Sequence, residues 1–346
     1  MIARAVALAL CCLAAPLSAA NWATKAVCDI PSLDLPAAWA DRADIAAAQA
    51  RAAGIPNGLG KFWRITAPDG AVSHLFGTMH SNEPLLLDLP GELSAALNQA
   101  RIIATEVDFR LPARRFARND PVDSYRWRSA RSRNAEPPFE PELADWVREF
   151  FSGQGLQTPW TFLTDAGLAE RLLHNPCNDF NAGVFPVMDD LIALEGVLAG
   201  ATFLGLESQG AFLTELSRPS RAAQLHGILQ VYGAYTQPPA DNQGRQAFAA
   251  LYAQGRLGEM MAHDALYLEA VFGPERGAKF RADAERYLIR DRNLAWLGRI
   301  GPELDRGGVV MAVGAFHLPG EDGLVARLRA QGYSVSRIVA EGEVLR

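Results

Sequence analysis

With 346 residues, 49% of them hydrophobic and 21% charged, the chain carries enough apolar material for one large packed domain or two ordinary ones, which excludes a disordered protein. The formal charge, 33 − 39 = −6, is the wrong sign for a nucleic-acid binder. Past the N-terminus no run approaches the roughly 18 uncharged apolar residues of a transmembrane segment.

Met1-Ile-Ala-Arg4, a short apolar core and Leu17-Ser-Ala-Ala20 read as a secretory signal peptide over residues 1–20, so the mature protein is expected to be soluble and periplasmic or secreted. Cys11 and Cys12 lie inside the apolar core behind Leu10, which argues against lipidation. Only Cys28 and Cys177 remain after cleavage, and an oxidising compartment predicts a disulfide between them; the alternative is two buried thiols.

Residues 21–57 read as an arm and one helix: Pro31, Pro36, an Ala-rich stretch from Ala37 to Ala53, then the break Gly54-Ile-Pro-Asn-Gly58. Residues 58–346 read as one α/β domain. Phe62 to Thr66, the turn Pro68-Asp-Gly70 and Ala71 to Phe76 predict a hairpin. A helix over Pro90 to Ala100 leads to a strand from Arg101 to Phe109 that carries Glu106 and Asp108 near its end. Between Arg110 and Arg133 stand eight arginines interleaved with Phe116, Tyr125 and Trp127, and the expectation there is a solvated surface loop.

From about 139 to 300 the periodicity is helical, apart from a short strand at Ala201 to Leu206 that ends on Glu207. A single long helix is expected from about Ala278 to Ile300, with Tyr287, Leu288, Leu294, Ala295 and Gly298 on one face. The chain closes with a strand (Gly308 to Gly314), a helix (Leu324 to Ala330) and a strand (Tyr333 to Val339). Strands at both ends with helices between predict a mixed sheet built from N- and C-terminal strands, flanked by helices, around a helical insertion.

Two of the six histidines follow an apolar strand and a glycine three places upstream: Gly77-Thr-Met-His80 and Gly314-Ala-Phe-His317. In open α/β sheets ligands bind beyond the carboxyl ends of strands, where a glycine permits a tight exit. Two imidazoles with a carboxylate are a familiar ligand set for a divalent ion, so His80, His317 and Glu106 are the candidate metal ligands. Such an ion would activate water for hydrolysis. Glu106 is read as ligand or general base, Arg292 as orienter or oxyanion partner, and Glu207 as a supporting carboxylate behind them. Asp189 and Asp190 offer further carboxylates. The bland alternative is that the histidines cap neighbouring helices and Glu106 pairs with an arginine. His74, His174, His226 and His263 have no motif around them and are expected at the surface or as satisfied core residues.

Phe62-Trp-Arg-Ile, Leu75-Phe-Gly-Thr-Met-His80, Ala104-Thr-Glu-Val-Asp108, Gly205-Leu-Glu-Ser208, Arg292-Asn-Leu-Ala-Trp-Leu297 and Val313-Gly-Ala-Phe-His-Leu-Pro-Gly-Glu-Asp-Gly-Leu324 resemble the ordered landmarks of the TraB/GumN family. That family includes the Tiki metalloproteases that act on Wnt, and it is distantly similar to the erythromycin esterase and ChaN folds. The resemblance runs from about residue 58 to the C-terminus. It implies an α/β fold with both Gly-x-x-His motifs at the site, and Mn²⁺- or Co²⁺-dependent peptide hydrolysis. His80, Glu106, Arg292 and His317 match its polar set, with Glu207 beside them. The expectation is therefore an exported hydrolase, a peptidase, using Mn, Co or Zn on a peptide or protein substrate. The competing expectation is a non-catalytic envelope protein that binds haem, a metal or a glycan, linked to exopolysaccharide. The Arg-rich segment from Arg110 to Arg133 matches nothing in the resemblance.

Overall fold

The computed structural model describes residues 24–40, 42–107, 136–153 and 158–345. The signal peptide read over 1–20, Asp108 and the Arg-rich segment 110–133 lie outside the described residues. Six strands, β1 (Phe62–Thr66), β2 (Val72–Thr78), β3 (Ile102–Val107), β4 (Thr202–Glu207), β5 (Val309–Gly314) and β6 (Ser334–Ile338), form one mixed sheet in the order β4-β3-β5-β2-β1-β6. β4, β3, β5 and β2 run parallel, and β1 pairs antiparallel with both β2 and β6.

Before the sheet and within its first half lie α1 (Lys25–Cys28), α2 (Ala37–Ala40), α3 (Ile45–Ala52) and α4 (Gly91–Asn98). Between β3 and β4 come α5 (Ala144–Gly153), α6 (Asp165–Leu173) and α7 (Met188–Leu198). Between β4 and β5 come α8 (Gln209–Leu216), α9 (Ala222–Ala234), α10 (Gln243–Ala253), α11 (Leu257–Phe272), α12 (Pro274–Glu285) and α13 (Arg292–Asp305), and α14 (Leu324–Ala330) precedes β6. The helical insertion thus comes in two blocks, one on each side of β4.

Every residue of β5 is buried, because parallel neighbours flank it and helices cover both sheet faces. Side chains alternate between those faces. Phe62, Phe76, Ile103, Val310 and Ala312 pack with α4, α7, α10 and α11, while Trp63, Leu75, Ala104, Met311 and Val313 pack with α13 and α14. A third core, with Leu143, Phe151, Leu168, Ile228, Leu268 and Phe280, holds the helices of the two blocks together away from the sheet.

Two expectations are corrected here. The Ala-rich stretch from Ala37 to Ala53 is not one helix but α2 and α3, parted by a turn in which Arg42 Nε donates to Asp44 Oδ1 at 2.9 Å. The long helix is continuous only through a π-helical turn at Arg286–Asp291. A π turn carries more residues than an α turn, so the buried stripe slips along the sequence. Tyr287 and Leu288 are buried as expected, but downstream the inward residues are Asn293, Trp296, Leu297 and Ile300, and Leu294 is 45% exposed.

The disulfide between Cys28 and Cys177 forms, with Cα atoms 5.3 Å apart across 149 residues of sequence. No helix among the described residues is long and apolar enough to cross a membrane.

Candidate functional site

Four parallel strands place four carboxyl ends along one sheet edge, and the sequence puts a polar residue at or just past each. Glu106 is the last residue but one of β3 and Glu207 ends β4, while His80 and His317 follow β2 and β5 by two and three residues. Thr78 stands opposite Gly314 and Val107 opposite Glu207 in the ladders, so the strand ends that carry the four side chains are level. They line one cleft of about 1830 Å³ between this edge and the helices, together with Arg292 from α13.

Neither glycine of the two Gly-x-x-His motifs has a positive φ; both are required for close approach. A Cβ on Gly77 would lie 3.0 Å from the Ala315 backbone. One on Gly314 would lie 2.9 Å from His80 Nε2 and 3.1 Å from Glu106 Oε1, in the space between these two groups.

Glu106 is the hub. Its Oε1 accepts from the Gly314 amide at 2.7 Å and lies 3.5 Å from His80 Nε2 and 3.7 Å from His317 Nε2. Its Oε2 accepts from Arg292 Nη2 at 2.6 Å. Arg292 uses all five of its donors. Nε and Nη2 reach Glu207 Oε1 at 2.8 and 2.5 Å, Nη2 also reaches Glu106, and Nη1 reaches the Leu288 carbonyl at 3.2 Å and His317 Nε2 at 3.4 Å. Its guanidinium also lies over the Trp296 ring, 4.5 Å from the centroid.

The imidazoles are oriented from behind. Asn293 Nδ2 donates to the carbonyls of His317 and Asp322 at 3.1 and 2.9 Å, which turns its Oδ1 toward His317 Nδ1 at 2.7 Å. Nδ1 therefore carries the proton, and the Nε2 lone pair faces the cleft. Burial drives the His317 pKa down to about 3, so the ring is neutral. His80 Nδ1 donates to Asp189 Oδ2 at 2.9 Å, and Thr78 Oγ1 holds the other oxygen of Asp189 at 2.8 Å. Asp189, and behind it Glu106, raise His80 well above the usual histidine range.

The two glutamates at the strand ends are driven apart. Burial would raise Glu106, but Arg292 and the imidazoles outweigh it and hold the carboxyl well below the usual range. Burial raises Glu207 despite Arg292, with the charge of Glu106 adding to the effect. The two carboxyls are thus split in opposite directions, Glu106 favouring its ionised form and Glu207 holding a proton more readily.

Sequence reasoning named His80, His317, Glu106, Glu207 and Arg292, and all five come together. It offered Asp189 only as a spare carboxylate and missed Asn293, which follows Arg292 directly on α13. His74 stacks on Phe62, His174 pairs with Asp179 and His226 reaches Gln230. His263 departs from the expectation of a satisfied core residue, since neither of its buried ring nitrogens has a hydrogen-bond partner.

A single family model covers these landmarks: the TraB/PrgY/gumN family matches residues 61–337. The chain belongs to the TraB/PrgY/gumN family. No match was found among curated proteins or among solved structures. Both Gly-x-x-His motifs, Glu106, Glu207 and Arg292 fall inside the region matched to TraB/PrgY/gumN, whereas Cys28 precedes it.

Glu106 Oε1 and the two Nε2 atoms are the donors that could hold a divalent ion. Two ligands at roughly 2.1 Å from one ion lie about 3 to 3.5 Å apart, close to the 3.5 and 3.7 Å that separate Glu106 Oε1 from the two Nε2 atoms. Both histidines have Nδ1 held by an oxygen, as metal-ligating imidazoles do. No three His, Cys, Asp or Glu side chains among the described residues already form a ligand group.

Proposed function

We propose that this member of the TraB/PrgY/gumN family is an exported, divalent-metal-dependent hydrolase that acts on peptides or proteins. The observation that supports it is the pair of imidazoles, each anchored through Nδ1, whose Nε2 atoms face one ionised carboxylate oxygen at the sheet edge. The Cys28–Cys177 disulfide supports export.

In this reading His80, His317 and Glu106 hold Mn²⁺, Co²⁺ or Zn²⁺. A bound ion of this kind lowers the pKa of its water and polarises a carbonyl. Of the two roles read for Glu106, its depressed pKa favours ligand over base. Glu207, raised by burial, is the better proton acceptor. Arg292 spends three of its donors on Glu106 and Glu207 and so positions them against each other, while the Nη1 hydrogen that reaches His317 Nε2 would be released when that nitrogen holds an ion. Asp189 and Asn293 hold the two rings so that Nε2 is presented.

The test is metal analysis of the purified protein, with hydrolysis of a quenched peptide library measured with and without added Mn²⁺, Co²⁺ or Zn²⁺. A metal-free, inert protein with an intact fold would overturn the proposal.

One observation favours the second reading, a non-catalytic envelope protein binding haem, a metal or a glycan. The cleft of about 1830 Å³ exceeds the roughly 300–1,000 Å³ of ordinary small-ligand pockets. Saturable binding of such a ligand by an inert protein would establish it.

A further inference from the structure

Away from the sheet edge, a wall of the same cleft is built by α9, α11 and α12. It carries a carboxylate, Asp264, among three tyrosines. Tyr267 lies one turn along α11 from Asp264, Tyr232 lies on α9, and Tyr235 caps its C-terminus. The Tyr235 hydroxyl donates to Asp264 Oδ1. The Tyr267 hydroxyl is turned to the Ala234 carbonyl at 2.6 Å and Gln237 Oε1 at 3.0 Å and so does not bond Asp264. The Tyr232 and Tyr235 rings meet edge to face at 5.3 Å, and Tyr235 and Tyr267 stack at 6.1 Å. Asp264 and all three tyrosines line the cleft.

The charge balance on this wall is uneven. Arg281, whose charge partly offsets that of Asp264, pairs with Glu285 at 2.8 Å, and among the described residues no Lys, Arg or His side chain forms an ion pair with Asp264. Burial raises Asp264 to about 6. Tyrosine faces carry negative quadrupole density, so rings around a carboxylate do nothing for the anion itself. The same arrangement attracts a cation twice, through charge and through the ring faces. Tyr232 feels the charges of both Asp264 and the Arg292–Glu106 pair, which ties this wall to the sheet-edge site.

We propose that Asp264 with the rings of Tyr232, Tyr235 and Tyr267 forms a subsite for a primary ammonium group of the substrate. A peptide supplies that group from its amino terminus or from a lysine side chain. The proposal rests on the peptidase reading only for the source of the ammonium, and its test needs no hydrolysis.

Three probes are titrated against the metal-free protein at about pH 7, where both ammonium probes are largely protonated, with binding read by ligand-observed NMR. They are alaninamide, Nα-acetyllysinamide and the neutral N-acetylalaninamide. The expected result is that at least one ammonium probe binds about tenfold or more tightly than the neutral one. Tighter binding of alaninamide assigns the amino terminus, and tighter binding of Nα-acetyllysinamide assigns the lysine side chain. Asp264→Asn removes the preference, and Tyr267→Leu weakens it by about threefold or more. Equal binding of all three probes, or a preference that survives Asp264→Asn, overturns the subsite. If Asp264→Asn does not fold, Tyr267→Leu decides, and an unchanged preference in that variant overturns it. A protein that shows the preference but hydrolyses no peptide refutes the peptidase reading alone. One that hydrolyses peptides without the preference refutes the subsite alone.

Discussion

Glu106→Gln separates the two things this carboxylate does. In the native site Oε1 accepts from the Gly314 amide at 2.7 Å and Oε2 from Arg292 Nη2 at 2.6 Å. Glutamine offers one acceptor oxygen, so its amino group must face one of these donors, and a buried unsatisfied donor costs about 1–3 kcal/mol. The larger penalty of about 3–5 kcal/mol for a stranded buried charge does not apply, because Arg292 keeps two contacts to Glu207. The metal-free variant should therefore lose about 2 kcal/mol, or roughly 3 °C in melting temperature for a protein of this size. The metal arm carries the functional information. An ion at 100 times its Kd stabilises wild type by about 2.7 kcal/mol, and loss of one of three ligands should remove most of that increment. The assay is a set of four thermal melts: wild type and variant, each with chelator and with excess Mn²⁺. A full metal-induced shift in the variant would refute Glu106 as a ligand. A metal-free loss well beyond 4 kcal/mol would instead make Glu106 the indispensable counter-charge of Arg292.

Gly314→Ala puts a methyl group into the space between His80 Nε2 and Glu106 Oε1 and should abolish metal uptake, measured by metal analysis, because the half-exposed His80 must swing aside. Reduction of Cys28–Cys177 should lower stability by up to about 4–5 kcal/mol on the chain-entropy model. It should also weaken metal binding, since Asn178 beside Cys177 donates to the His80 carbonyl at 3.2 Å and accepts two bonds from Asn82; unchanged metal affinity in the reduced protein would show that this loop does not position His80. Burial holds Asp264 at about 6 against 3.8, so the stability it contributes is complete below about pH 4 and is lost as pH rises through 6. Asp264→Asn should therefore melt higher than wild type at pH 7, by at most about 3 kcal/mol, with the gain vanishing near pH 4; a pH-independent difference would contradict it.

The strands and their order of use were legible because each carries its own signal. The hairpin over Phe62 to Phe76 has a turn at Pro68-Asp-Gly70, and β5 is an uninterrupted apolar run that only a covered central strand tolerates. The site was legible for a related reason: in a parallel sheet the residues at strand ends are neighbours whatever their separation in sequence, so Glu106, Glu207 and the two Gly-x-x-His motifs converge by topology. Asp189 could not be read this way. It sits in the first turn of α7, where an acidic residue is usual for helix-dipole reasons alone, and nothing local shows that it reaches His80. The split between Glu106 and Glu207 was also invisible, because both end apolar strands and only the three-dimensional placement of Arg292 and His80 distinguishes them.

The register of the long helix explains why Arg292 and Asn293 act together. In an unbroken α-helix each residue turns by about 100°, so a face containing Tyr287 and Leu288 would continue through positions near 291, 295 and 298. The π turn at Arg286–Asp291 delays that rotation, and the inward stripe restarts on Asn293, Trp296 and Leu297, with Arg292 at its edge. The delay lets Arg292 span the ends of β3 and β4 while Asn293, one residue on, reaches back to the ring of His317 after β5. π turns recur at functional sites because they are a costly way to aim side chains that an α-helix would point elsewhere. Here the turn aims two consecutive residues at three strand ends, and it stands immediately before them.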